Sequence, residues 1–196
     1  MLKKILIGLA VLITLFVVIV AAQPSDYHVE RSLEVNAPAD VVWEQVSDFG
    51  AWKAWSPWHK MDPDQKTSIT GTAGMVGHRS SWDGEKTGKG SQEVVTADKP
   101  THLGMRLVML EPMPDEAKTG FRLESAEDTT KVTWYIDGNN SFVKKFFALV
   151  MGMDTMLGEM FDQGLADLKP IVEMKAKEQA GAAAAAREDD ESAERE

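Results

Sequence analysis

The 196-residue chain contains no cysteine. This absence excludes a disulfide framework, a thiol nucleophile and a thiolate metal site, so the folded state has to be stabilised by packing. Basic residues are also under-represented, since 21 lysines and arginines stand against 31 aspartates and glutamates and give a net charge of −10. A chain this acidic is not expected to bind nucleic acid, nor to hold anionic lipid headgroups through a basic surface.

The sequence also lacks motifs for metals and nucleotides. Four histidines are scattered along it: His28, His59, His78 and His102. No pair of them has metal-ligand spacing, and the glycine-rich residues 84–91 depart from the phosphate-loop order because Lys89 takes the place of the second glycine. We therefore predict no metal ion, no cofactor and no catalytic residue.

Residues 5–22 form an uncharged apolar run of 18 residues that follows Lys3 and Lys4. This length is sufficient to cross the hydrocarbon core of a bilayer. Because the lysines lie only on the amino-terminal side, residues 1–4 are expected in the cytoplasm and the rest of the chain outside it, held by a single-pass membrane anchor. The alternative is a cleaved signal peptide, since the run ends in small residues, although the apolar region of such a peptide is usually shorter.

The carboxyl-terminal residues have the opposite character. Residues 182–186 are five alanines, and residues 187–196 contain six acids and two bases, which gives this stretch a charge of −4. It has no apolar side chain larger than alanine to pack. We expect residues 175–196 to be an acidic tail that is disordered or fraying.

Between the two ends, short segments of alternating apolar and polar residues predict an antiparallel sheet built from hairpins. Glycine, proline and Asp-Gly signals separate the segments. Seven strands are predicted, near residues 27–35, 66–70, 78–82, 91–96, 102–110, 119–125 and 131–137.

Two helical regions flank this pattern. Pro38 suits the first turn of a helix whose apolar positions recur at helical spacing. The tryptophans that follow this helix are expected to pack over another apolar part of the domain. From Phe142 onward, apolar residues step by threes and fours, which predicts one long helix across the sheet. Glycines 152, 158 and 164 within it indicate a bend or a close approach to the sheet, and Pro170 should distort or nearly end it. The expected fold class is therefore α+β.

Eight short segments are informative through their order and spacing. They are residues 29–38 (VERSLEVNAP), 41–43 (VVW), 48–52 (DFGAW), 55–58 (WSPW), 77–82 (GHRSSW), 88–91 (GKGS), 130–134 (TKVTW) and 164–168 (GLADL). Together they resemble the START-like (SRPBCC) helix-grip superfamily, which groups polyketide cyclases, aromatase-like dehydrases and lipid-transfer proteins. The resemblance covers residues 27–174 and implies a seven-stranded curved antiparallel sheet wrapped around a long carboxyl-terminal helix, with a hydrophobic cavity between them.

The resemblance also implies a set of ligand-binding residues. The expected walls of the cavity are Val94, Met105, Leu107, Phe121, Trp134, Met153, Met156, Leu157, Met160 and Phe161. Trp55, Trp58 and Trp82 are expected near an opening, and His78, Ser80 and Gln92 are expected to orient a ligand. The methionines fit core packing as well as an adaptable wall, and the tryptophans fit three roles: filling the core, capping the cavity, or lying at the bilayer interface.

Three functions remain open at this point. The first is a membrane-tethered, extracytoplasmic domain that binds a hydrophobic small molecule or lipid without catalysis. The second is a cyclase or dehydrase in which His78 and a neighbour move protons inside the same cavity. The third is a protein-interaction module with a filled core and an exposed apolar patch. Ligand identity, protein partners and oligomeric state are not determined by the sequence.

Overall fold

The structure, a computed structural model, describes residues 2–142, 144–146 and 152–193, and within these all side chains except those of residues 153–154 and 189–193. Helix α1, Leu2–Ala22, forms the amino terminus. It is long and apolar enough to cross a membrane, and Val20 is its single buried residue among those described. Such a helix is typical of a membrane anchor or of a signal sequence.

Seven strands form one antiparallel sheet, which confirms the predicted number. Their order across the sheet is β1-β7-β6-β5-β4-β3-β2. Their bounds are β1 Asp26–Val35, β2 Lys66–Thr70, β3 Arg79–Gly84, β4 Gly88–Asp98, β5 His102–Glu111, β6 Asp115–Ala126 and β7 Thr129–Asn139.

The two ends of this sheet differ in what they lie next to. We call one the proximal end, because β1 begins there three residues after α1, at Asp26, which pairs with Asn139 at the end of β7. The turns after β3 and β5 are also at the proximal end. The distal end carries the turns after β4 and β6 and the loop of residues 71–78 before β3.

Three short helices follow β1 and cover the concave face. They are α2 Ala39–Ser47, α3 Trp52–Trp55 and α4 Pro57–Met61. Pro38 and Pro57 stand at the first turns of α2 and α4, where a missing N–H costs no hydrogen bond. Both helices therefore begin where proline fixes the backbone.

The long helix α5, Met153–Ala193, completes the α+β fold. The periodicity predicted one unbroken helix from Phe142 onward, but the structure has a break. Phe142 and residues 144–146 are helical, and Gly152 has a φ of 62° directly before α5. Left-handed backbone cannot continue a helix, and glycine adopts it at little cost. The helical segment after β7 is thus set apart from α5.

Within α5 the predicted close approach to the sheet is confirmed. A Cβ at position 158 would overlap the guanidinium of Arg31, and one at position 164 would lie 2.7 Å from the ring of Trp134. Pro170 does not end the helix, contrary to expectation, because Leu168 and Val172 on either side of it are fully buried and hold this turn against the domain.

The helix continues through the residues that were expected to be a disordered or fraying tail. Its described side chains from residue 177 to 188 are all exposed. Alanine has the highest helix propensity, so the alanine run favours helix even though it packs against nothing. The acidic end of the chain is therefore helical as far as Ala193, and its described side chains up to residue 188 are exposed.

Candidate ligand-binding cavity

A cavity of about 250 Å³ lies between the proximal half of the concave face and helices α3, α4 and α5. Five of its lining residues have large apolar side chains and illustrate where the wall comes from: Trp58, Trp82, Leu107, Met109 and Phe161. They come from two helices and two strands, so no single segment of the sequence contains the site. A partly open, mainly apolar volume of this kind is a typical binding site for a small apolar molecule.

The cavity exists because small residues occupy the inward positions of β6 at its proximal half. Ala117 and Thr119 line it, and their cross-strand partners in β5 are Leu107 and Met105. One inward position further along β6 stands Phe121, which is fully buried, and the open volume ends there. A change from small to large side chains along one strand thus divides the concave face into an open and a filled half.

Trp134 forms the partition between the two halves. Its ring stacks on Phe161 at 4.5 Å between centroids and meets Trp58 at 5.4 Å on the cavity side. On the filled side it lies 4.9 Å from Phe121, and Trp52, which also lines the cavity, meets it at 5.7 Å. Its indole N–H is buried and has no hydrogen-bond partner among the described residues.

Trp82 lies flat along the sheet because of a glycine on the next strand. A Cβ at Gly90, the cross-strand partner of Trp82, would overlap the indole ring. The indole N–H of Trp82 points to the carbonyl of Thr87 at 3.4 Å. The Gly88-Lys-Gly90 segment, noted in the sequence as a turn signal, therefore also gives this cavity wall its shape.

Polar groups reach the cavity at a few positions. His59, Ser80 and Gln92 are among the lining residues. Among the described residues, no side-chain hydrogen-bond partner is found for Ser80 or Gln92, and Nδ1 of His59 is buried without a partner. Burial, followed by the nearby charge of Lys53, lowers the pKa of His59 below its usual value. These groups can orient a ligand without competing with a hydrogen bond inside the protein.

The rim at the β3–β4 turn is held by Asp62 at the end of α4. Its carboxylate accepts hydrogen bonds from the backbone N–H of Lys86 at 2.8 Å and of Thr87 at 3.3 Å. The Lys86 hydrogen bond is the main cause of the lowered pKa of Asp62. Asp62 is only 5% exposed, because the turn folds over it.

Half of the sixteen residues predicted to bind ligand line this cavity. They are Trp58, Ser80, Trp82, Gln92, Leu107, Trp134, Leu157 and Phe161. Five others are buried outside the cavity lining: Trp55, His78, Val94, Met105 and Phe121. Those of the predicted residues that lie on strands share the inward parity of their strand. Alternation carried no information on which of them face an empty volume.

His78 illustrates why an inward-facing residue need not line the cavity. It faces inward, as Ser80 and Trp82 do, but at its level the ring of Phe49 stacks on it at 4.7 Å. Its Nε2 accepts a hydrogen bond from the Phe49 N–H at 3.2 Å, and Nδ1 lies 3.1 Å from the carbonyl oxygen of Thr70. Both ring nitrogens therefore connect parts of the backbone, and His78 does not orient anything in the cavity.

The predicted methionine wall is mostly absent. Met156 is 51% exposed and Met160 is half-buried, and neither lines the cavity. The side chain of Met153 lies outside the described residues. The methionine that does line the cavity is Met109 on β5. The helical spacing placed these residues on one face of α5, but α5 turns that face only partly toward the sheet.

Twelve lining residues were not predicted. They are Tyr27, Trp52, Ser56, His59, Gln65, Thr67, Thr87, Met109, Asp115, Ala117, Thr119 and Ile136. Strand parity with Leu107 and Trp134 could have indicated Met109 and Ile136. Most of the others are polar or small and come from loops and strand ends, where alternation gives no signal. Among the described residues, no group of three or more side chains is arranged to hold a metal ion.

The fold and the cavity define a helix-grip domain. Residues 26–173 match the sequence profile of the family described as polyketide cyclase / dehydrase and lipid transport, and the protein belongs to this family. The resemblance seen in the sequence is thereby confirmed. No curated protein sequence matches the chain significantly.

Solved structures agree with this fold. The chain is similar to protein BH1534 from Bacillus halodurans, with 19% identity, a TM-score of 0.56, and coverage of 76% of this chain and 100% of that one. It is similar to protein MLL2253 from Mesorhizobium loti, with 13% identity, a TM-score of 0.55, and coverage of 76% and 98%. It is also similar to the Aha1 dimer from Colwellia psychrerythraea, with 18% identity, a TM-score of 0.53, and coverage of 75% and 96%. At these identities the likeness concerns the fold alone.

Proposed function

We propose that the domain binds a hydrophobic small molecule, or one segment of a lipid, in this cavity without catalysing a reaction. The observation that carries the proposal is the open proximal half of a concave face whose distal half is filled. Evenly large side chains would have filled both halves, as they do in a domain that serves only as a packed module. The family's association with lipid transport and polyketide chemistry supports an apolar ligand.

The size and chemistry of the cavity limit the ligand. A volume of about 250 Å³ is slightly below the range of small-molecule sites, roughly 300–1,000 Å³. A compact ring system or part of an acyl chain fits better than a whole lipid. Aromatic rings at Trp58, Trp82 and Phe161 supply contact area, and His59 and Gln92 supply hydrogen bonds at one side.

The alternative function, a cyclase or dehydrase, depended on His78 as a proton-transferring group in the cavity. It required His78 and a second polar group inside the cavity, but both nitrogens of His78 face partners in the protein backbone. His59 lines the cavity instead, and no carboxylate forms a hydrogen bond or ion pair with it among the described residues. A general base needs a positioned partner, so binding is the better supported function.

We further propose that α1 anchors the domain to a membrane and that the domain is extracytoplasmic. Lys3 and Lys4 precede the apolar helix and support a cytoplasmic amino terminus. An alkaline phosphatase fusion after the carboxyl terminus tests the sidedness. We expect an active phosphatase; a reporter that is active only in the cytoplasm would overturn the topology.

The binding proposal is tested on the full chain, purified in a mild detergent. Native mass spectrometry and solvent extraction should find a bound apolar molecule, and Ala117→Phe, which places a ring in the cavity, should lose it. Val95→Phe is the matched control, because Val95 lies on the same sheet, is exposed, and is absent from the cavity lining. A ligand-free wild type, or a ligand that Ala117→Phe retains, would refute the proposal.

A further inference from the structure

The proximal end of the sheet lies directly beside the carboxyl end of α1. Residues 23–25 alone separate α1 from β1, and three residues of extended chain reach at most about 10 Å. The carbonyl of Ser25 accepts a hydrogen bond from the N–H of Asn140 at 2.6 Å, which fastens this connection to the end of β7. The domain is therefore held with its proximal end toward whatever surrounds α1.

The segment after β7 also contacts α1 at Phe16. The rings of Phe146 and Phe16 meet edge to face, with centroids 5.9 Å apart and planes at 88°. Phe16 lies six residues before Ala22, the last residue of α1, which is about 9 Å along a helix axis. Where α1 crosses a bilayer, Phe146 lies at the level of hydrocarbon and not of water.

Further exposed apolar side chains gather at the same end. They are Leu110 and Met113 at the β5–β6 turn, Phe142 after β7, and Met156 in the first turn of α5. The ammonium of Lys144 pairs with Asp115 and joins the segment after β7 to this turn. The cavity reaches the same place, since Asp115 lines it and follows the turn directly.

Charge distinguishes this surface from one that binds lipid headgroups. The pairing of Lys144 with Asp115 cancels one of the two positive charges in the segment, and the whole chain is acidic. Electrostatic attraction to anionic lipid is therefore small. Apolar side chains next to a membrane-spanning helix can be covered by hydrocarbon instead.

We propose that Leu110, Met113, Phe142 and Phe146 insert into the bilayer that holds α1, on the side of the domain, so that the cavity opens toward lipid. Met156 lies at the border of this membrane-insertion surface. The inference rests on the proposed anchoring by α1 and is independent of which ligand fills the cavity. A ligand would then enter from the bilayer without crossing water.

The distal end of the sheet provides a matched control. Met75 and Val76 in the loop before β3 are 59% and 65% exposed, so they are at least as accessible as the residues of the insertion surface. They lie at the opposite end of the strands from α1. If exposure of apolar side chains were sufficient for contact with lipid, both ends of the sheet would contact it. Membrane insertion through the proximal end predicts contact at that end alone.

The absence of cysteine makes a direct measurement straightforward. Single-cysteine variants of the full chain, Met113→Cys, Phe142→Cys, Val76→Cys and, within α1, Val11→Cys, are labelled with an environment-sensitive fluorophore and reconstituted in phosphatidylcholine vesicles. Quenching by nitroxide-bearing lipid is compared with quenching by aqueous iodide. All four positions are exposed, so the labels do not disturb the core.

We expect lipid quenching at positions 11, 113 and 142 to be several-fold stronger than at position 76, where iodide should quench instead. If positions 113 and 142 behave like position 76 while position 11 is quenched by lipid, the anchor is real and the insertion surface is wrong. If position 11 is also open to iodide, the anchoring itself fails. Shielding of position 142 from both quenchers would show a protein partner or second copy on this surface and would also overturn the inference.

Discussion

The two halves of the concave face are formed by the same strands, but side chains fill the distal half and leave the proximal half open. In the distal half, inward residues such as Leu103 and Phe121 are fully buried. In the proximal half, Ala117 and Thr119 leave a cavity of about 250 Å³. The distal half is therefore closely packed, and the proximal half gives up contact area to provide a site.

The largest difference in stability between the two halves is expected when a large side chain is truncated to alanine. Phe121→Ala should destabilise the domain by about 3–5 kcal/mol, because it empties a fully packed site. Leu107→Ala should cost about 1–2 kcal/mol, since Leu107 is half-buried and already borders empty space. Urea denaturation of both variants measures this, and equal losses would contradict the division into two halves.

Enlarged side chains should show the same pattern, with the larger loss of stability again in the distal half. Val94→Phe should destabilise by about 1–3 kcal/mol, because the distal half has no room for a larger ring. Ala117→Phe should change stability little, because its ring enters the cavity. Thermal unfolding of the two variants side by side tests this. A severe loss of stability in Ala117→Phe would show that the proximal volume is not available to a ligand.

A smaller effect is expected at the rim of the proximal half. Hydrogen bonds from Lys86 and Thr87 hold the pKa of Asp62 below its usual value. The stabilisation is therefore complete above the usual carboxyl pKa of about 3.9 and is lost as the pH falls through and below it.

Asp62→Ala should remove that acid dependence and speed hydrogen exchange in the β3–β4 turn. Wild type and variant are compared by denaturation between neutral and acidic pH. Asp64→Ala, two residues away and exposed, is the control that should leave both properties unchanged. Unaltered exchange in the turn of Asp62→Ala would mean that the carboxylate does not hold the rim.

The smallest expected effect concerns His59. Its pKa is lowered in the folded state, so the unfolded state binds the proton first as the pH falls below about 6.5. Stability from the uncharged ring is thus present above that pH and declines below it. Affinity for an apolar fluorescent probe should decline in the same direction, and His59→Gln should lose this dependence. A probe affinity that falls equally in both proteins would assign the effect to another group.

Much of the fold could be predicted because it depends on local patterns. Alternation with a period of two identified all seven strands, and Pro38 marked the start of a helix. The apolar spacing did not reveal the break before α5. Gly152 was noted in the sequence as a site for a bend or a close approach, but only the structure shows the positive φ with which it separates two helical segments.

The site was predicted less completely, for a physical reason that Val94 and Gln92 illustrate. Both were expected to line the cavity, and both lie on β4 with the same inward parity. Gln92 borders the cavity, whereas Val94 is fully buried in the distal half. The difference arises from what lies opposite each residue on strands and helices far away in the sequence.

The sequence by itself determined the apolar amino-terminal helix, the seven strands, the inward face of each strand and the family. These depend on composition and on the periodicity of neighbouring residues. The tertiary structure alone decided which inward residues meet empty space, that His78 connects backbone segments, and that Phe146 lies beside α1. A cavity is the volume left between distant segments after packing, and no local pattern in one segment can specify it.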